Sequence, residues 1–101
     1  MDAPLTAAQA VQALVSHIDR CGGEYSDWYV SMSANPERDL FQYHLVDPHG
    51  QYAYCRCTTF AEARDAVQHL RTFYRVTVGP SWGSGDALYI YAYKMSTTTR
   101  D

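Results

Sequence analysis

The stretch YVSMSANPERDLFQYH (residues 29–44) decides how this chain is read. Its first residues alternate as a strand does. Trp28, Val30 and Met32 share one face, and Tyr29 and Ser31 share the other. Asn35 and Pro36 then change the backbone. Asparagine is a good N-cap and proline a good first helical residue, so a short helix opens at once. Leu40, Phe41 and His44 lie on one side of it, at i, i+1 and i+4. The layout is a strand, a turn and a short helix that ends in a histidine.

Outward toward the N-terminus, TAAQAVQALVSHIDRCGG (residues 6–23) reads as a long helix. Thr6 caps it and Gln9 completes a capping box. Val11, Leu14, Val15 and Ile18 form its apolar stripe, with His17 at the boundary, and Gly22 and Gly23 stop it. The first strand is expected over YSDWYVSMS (residues 25–33). Toward the C-terminus, DPHG (residues 47–50) is a turn by composition. QYAYCRCT (residues 51–58) reads as a second strand, with Tyr52, Tyr54 and Arg56 facing one way. Ala53, Cys55 and Cys57 face the other way, toward a helix layer.

TTFAEARDAVQHLRTFYR (residues 58–75) is the second long helix. Thr59 and Glu62 form a second capping box, and Phe60, Ala63, Val67, Leu70 and Tyr74 make the apolar stripe. A short extended piece and a glycine-rich loop follow, then a last strand, ALYIYAYK (residues 87–94). There Leu88, Ile90 and Ala92 oppose Tyr89, Tyr91 and Tyr93. These elements predict one α+β domain over residues 1–101, with residues 1–5 and 95–101 frayed. A small mixed or antiparallel sheet of about three strands carries two long helices and one short helix.

The chain has 101 residues, a net charge of −3, nine tyrosines and three cysteines. The acidic balance argues against a general nucleic-acid binder, which draws most of its affinity from phosphate contacts. It suits docking on the basic surface of another protein. An odd cysteine count without a signal peptide points to a reduced cytoplasmic protein, and no run is apolar enough to span a membrane. Cys55 and Cys57 read as buried or half-buried thiols, since no further ligands stand at metal-site spacing. No cofactor is expected.

Three segments, WYVSMSANPERDLFQYH, EARDAVQHL and GDALYIYAYK, together resemble small GIY-YIG endonuclease-like proteins. The resemblance covers about two thirds of the chain, through loose patterns. It implies metal-dependent phosphodiester hydrolysis, with a tyrosine beside the attacking water, an arginine on the short helix and a metal-holding glutamate on the later helix. Tyr29 and His44 match that pattern. Ser31 replaces a glycine, Asp39 replaces the arginine and Gln68 replaces the glutamate. An anion at Asp39 repels a scissile phosphate, and an amide is a poorer Mg²⁺ ligand than a carboxylate. Arg38 points about 100° away from the needed direction. GEY (residues 23–25) imitates the first signature tripeptide but stands too close to Tyr29 for a separate paired strand.

The resemblance therefore implies a degenerate, noncatalytic relative that binds a protein partner. Small acidic single domains often serve phages and other mobile elements as inhibitors of host defence, anti-CRISPR proteins included. The binding residues expected are Tyr29, Arg38, Asp39, His44, Arg56, Trp82, Tyr89 and Tyr91. Trp82, between glycines, is either a lid on the core or an anchor for a partner. The tyrosine faces of the second and last strands either pack under helices or, if paired, form an aromatic platform with Arg56.

Two alternatives stand beside this. One is an active Mg²⁺-dependent endonuclease using Tyr29, Arg38, His44 and Glu62 or Asp65. The other is a nucleotide- or nucleic-acid-binding module stacking bases on Trp82 and the tyrosines. A homodimer is compatible with an exposed sheet edge.

Overall fold

A computed structural model describes residues 3–78, 87–97 and 99. Helix α1 spans Ala7–Cys21 and starts as its capping box requires. Thr6 Oγ1 accepts from the Gln9 N–H at 3.3 Å, and Gln9 Oε1 accepts from the Thr6 N–H at 3.0 Å. It ends at Gly22 (φ 84°) and Gly23 (φ 91°), where side-chain residues are strained. The chain then closes a single 3₁₀ turn over Tyr25–Asp27. The sequence places strand here. The Asp27 carboxylate accepts the Glu24 N–H, and the Glu24 carbonyl accepts the Asp27 N–H, so these residues are held in a turn. Strand β1 begins at Trp28 and runs to Ser33.

Asn35 and Pro36 act as expected. Asn35 Oδ1 accepts from the Arg38 N–H at 3.1 Å, and helix α2 covers Pro36–Arg38. It continues through Asp39–Tyr43 as one wider π turn. The His44 N–H reaches back five residues to the Asp39 carbonyl at 2.9 Å. Leu45 (φ 58°) reverses the chain, and the Val46 N–H closes on the Leu40 carbonyl at 2.8 Å.

Strand β2 (Tyr52–Arg56) and helix α3 (Phe60–His69) follow. Helix α3 also widens into a π turn over Leu70–Tyr74 and ends at Arg75 (φ 61°). Thr59 caps α3 by accepting the Glu62 N–H at 3.1 Å. The expected second capping box is only half made. The Glu62 side chain turns away to accept the Ala7 N–H at 2.7 Å, 55 residues distant in sequence.

Strands β3 (Thr77–Val78) and β4 (Tyr89–Lys94) complete one mixed sheet in the order β2-β4-β1-β3. Strand β4 is antiparallel to β2 and β1, and β3 is parallel to β1. The fourth strand exceeds the sequence expectation by two residues of pairing, Tyr29 with Thr77 and Val30 with Val78.

The sheet has two unlike faces. On one, α1 and α3 bury Leu14, Ile18, Val67 and Leu70 against Trp28, Val30, Ile90 and Ala92. Each fully buried large side chain contributes roughly 1.5–3 kcal/mol. On the other face the short helix segment covers Tyr29, Tyr91 and Tyr93 with Leu40, and Val46 joins them. Two terminal residues expected to fray are tied down. Leu5 pairs with Cys57 as a strap on the outer edge of β2, and the Met95 N–H bonds the Asp27 carbonyl at 2.8 Å.

Candidate functional site

Strand alternation sends Tyr29 and Ser31 of β1, and Tyr91 and Tyr93 of β4, to the short-helix face. The register sets Tyr29 opposite Tyr93 and Ser31 opposite Tyr91. His44, at the end of the π turn, closes over them. Its Nε2 lies 2.8 Å from the Tyr91 hydroxyl and its Nδ1 3.2 Å from the Tyr93 hydroxyl. The Tyr29 ring stacks on Tyr93 at 5.1 Å and tilts against His44 at 4.9 Å.

A neutral imidazole donates from one nitrogen and accepts at the other, and a phenol does either. One histidine therefore ties two tyrosines of the same strand together. The cluster is sealed: His44 and Tyr91 are each 3 % exposed, Tyr93 is 0 % and Tyr29 is 7 %. Burial pushes the Tyr91 phenol up, the Ser31 hydrogen bond opposes that, and Tyr29, Asp39 and Tyr43 add to it. The neutral hydroxyl is the favoured form of Tyr91.

Around this cluster the helix presents a polar rim. Arg38 Nε lies 3.2 Å from Asp39 Oδ1, so the one cation of the segment is spent on its neighbour. Arg38 is exposed and Asp39 half-buried, and a pair with one partner open to solvent is worth little in stability. Glu37 hydrogen-bonds Tyr54, whose phenol is pushed up by burial first and by Glu37 second.

The tyrosine faces of β2 and β4 do come together: Tyr52 opposes Tyr93, Tyr54 opposes Tyr91 and Arg56 opposes Tyr89. They do not make a flat platform. Tyr91 and Tyr93 are sealed under the helix, and Phe41 meets Tyr52 edge-on at 5.1 Å. Tyr54 and Tyr89, nearer the surface, also meet edge-on, at 6.3 Å and 70°.

The rearranged nuclease set is not assembled. Tyr29 and His44 lie together under the short helix, and Arg38 is on the rim of the same face. Glu62 is on α3, which packs on the opposite face of the sheet. Its carboxylate holds the first N–H of α1, where an anion meets the positive end of the helix dipole. Asp65 and Gln68, also on α3, are exposed on that far side. Among the described residues, no group of three or more His, Cys, Asp or Glu is placed to hold a metal ion. Trp82 lies outside the described residues. No helix among those described is long and apolar enough to cross a membrane.

Tyr93 is the member of the cluster that sequence reasoning left out. Its signal was the alternation of Tyr89, Tyr91 and Tyr93, but only the register with β1 shows which two reach His44. Comparison with family models, curated proteins and solved structures returned no match.

Proposed function

We propose that this chain is a small noncatalytic binding protein on a GIY-YIG-like scaffold, acting by contact with a protein partner. The observation that carries this reading is the division of the nuclease-type residues. Tyr29 and His44 are sealed on one face of the sheet, while Glu62 and Gln68 belong to a helix on the other. A phosphodiester would have to meet a base and a metal ligand that share no surface.

What the short-helix side offers outward suits contact better than hydrolysis. Tyr43, Leu45 and Tyr54 are three of the four exposed large hydrophobic side chains among the described residues. Arg38, Glu37 and Arg56 lie among them. Apolar rings within a charged rim are the common composition of a protein interface. The small size and acidic charge suit an inhibitor of host defence carried by a phage or other mobile element.

Purified protein is incubated with labelled single- and double-stranded DNA and RNA, with Mg²⁺ or Mn²⁺ and with chelator. The expected outcome is no metal-dependent cleavage. A capture experiment from host lysate then compares the wild type with Tyr43→Ala/Tyr54→Ala and with Phe73→Ala, the latter on the opposite side. A partner lost only with the tyrosine pair supports the reading. Cleavage that disappears in Tyr29→Phe sinks it and restores an active nuclease, and binding of nucleic acid without cleavage replaces the protein partner by a nucleic acid.

A further inference from the structure

The helix layer carries a surface that the binding reading does not use. Three of the chain's eight Lys and Arg residues, Arg64, Arg71 and Arg75, stand on α3 and its π turn, against two of its eleven Asp and Glu, Glu62 and Asp65. All three arginines are exposed. Arg64, Gln68 and Arg71, at i, i+4 and i+7, share one side of the helix. The two carboxylates do little to neutralise them. Glu62 is committed to the Ala7 N–H at 2.7 Å. Asp65 Oδ1 stands 3.9 Å from Arg64 Nε, with both side chains well exposed to solvent, so that pair is weak. Among the described residues, no carboxylate pairs with Arg71 or Arg75. Residues 7–16 of α1 carry no charge, and Asp19 and Arg20 near its far end cancel. The balance on the helix layer is therefore basic in an acidic protein.

Beside the arginines lies a groove between α1 and α3. Its volume is about 310 Å³, and Ala7, Ala8, Val11, Asp65 and His69 line it. Phe73, 70 % exposed, packs its ring on His69 at 4.6 Å and extends the apolar surface past the groove. Alanines on the α1 wall let another backbone come close. Enclosed ligand sites run from roughly 300 to 1,000 Å³, so this groove suits an inserted apolar side chain better than a whole ligand.

We propose that this surface takes an acidic amphipathic helix of a protein partner, laid along the α1–α3 groove. Apolar side chains of the partner enter the groove and meet Phe73, as an amphipathic helix does in a groove. Its carboxylates pair with the arginines, whose planar donors match them. Seven helical residues cover about 10 Å, so carboxylates at i and i+7 of the partner keep step with Arg64 and Arg71. A nucleic-acid strand fits worse. It brings no aliphatic side chain to the groove, and Asp65 on the groove wall repels a phosphate. A second copy of this chain also fits worse, because a two-fold contact sets the arginine side against itself.

The test titrates the whole protein into a fluorescein-labelled synthetic helix of leucines and glutamates, the leucines at i, i+3, i+4 and i+7, and follows anisotropy. The glutamate helix binds, more weakly at high salt, and its lysine counterpart does not. Arg64→Ala/Arg71→Ala weakens binding about tenfold. Ala8→Trp, which fills the groove from an exposed position, weakens it several-fold. Arg64→Glu/Arg71→Glu moves the preference to the lysine helix. All these positions are exposed, and far-UV circular dichroism checks that each variant is folded. No binding of the glutamate helix, equal binding of the lysine helix, or an unchanged affinity in folded Arg64→Ala/Arg71→Ala overturns the proposal. Tighter binding of oligo(dT) or of phosphatidylglycerol vesicles through the same arginines also overturns it, in favour of a nucleic acid or a membrane. Tyr43 and Tyr54 take no part here, so this result and that of the short-helix contact are read separately.

Discussion

Each ring nitrogen of His44 shares a hydrogen bond with a buried phenol, so its removal takes one partner from each of two hydroxyls as well as opening a cavity. His44→Ala is expected to cost about 2–4 kcal/mol, and Tyr91→Phe, which keeps the ring, about 1–2 kcal/mol. Urea unfolding measures both; losses near zero for each would mean the network is not formed. Glu62→Gln is a gentler change. The amide still accepts the Ala7 N–H, but the negative charge at the end of α1 is lost. About 0.3–1 kcal/mol should disappear, less at high salt. A further residue defies the usual choice. Arg75 ends α3 at φ 61°, where glycine is at home, so Arg75→Gly should stabilise by up to about 1 kcal/mol in thermal melts. Single residues were legible where the signal is local: Thr6 with Gln9, Asn35 with Pro36, Gly22 with Gly23. Glu62 was misread because Thr59, its sequence neighbour, competes with Ala7, a tertiary neighbour no local pattern announces.

The short helix shows what an element adds. A π turn is an α-helical turn with one residue inserted. Removing one residue from Asp39–Tyr43 would turn the bond from His44 to Asp39 into an ordinary i to i−4 bond. It would also turn the Val46 to Leu40 closure into a Schellman ending. Deletion of exposed Gln42 should therefore leave His44 seated, and the protein should melt within a few degrees of wild type. Deleting Glu37, ahead of the bulge, should rotate the helix by about 100° and unfold the site. Near-equal melting of the two deletions would refute this. The existence of the helix was legible from Asn35 and Pro36. Its widening was not, because the bulge depends on which turn best presents Leu40 and His44 to the sheet.

Across the whole molecule, several tyrosines resist ionisation for different reasons. A hydrogen bond to Asp19 at 2.5 Å, then burial, pushes Tyr25 up to about 12. Burial leads for Tyr54 and Tyr91. Each group ionises more readily unfolded than folded. Their contribution is fully present below the ordinary tyrosine value of about 10 and is lost as pH rises toward 12 and beyond. Alkaline unfolding followed together with tyrosinate absorbance should show a late fraction of phenols titrating only with the transition; all nine titrating together near pH 10 in a still-folded protein would contradict this.

At this scale the α+β class and the helix layer over small residues were legible from alternation. Which strands bring their tyrosine faces together was not, because alternation does not fix strand order. The parallel pairing of Thr77 and Val78 with β1 was not, because two residues carry no period. Nor was the separation of Glu62 from Tyr29, which depends on the side of the sheet that α3 takes.

The position of β4 also bears on how the chain is made. It is the last strand in sequence and yet lies between β2 and β1 in the sheet. While the ribosome is still working, both of its neighbours already exist with nothing between them. Neither gains its β4 partner, and the two cannot be joined into one sheet, until Tyr89–Lys94 has emerged. The sheet cannot close before that point, and for that interval the nascent chain carries tyrosine-rich strands without their central partner, which a chaperone would have reason to hold.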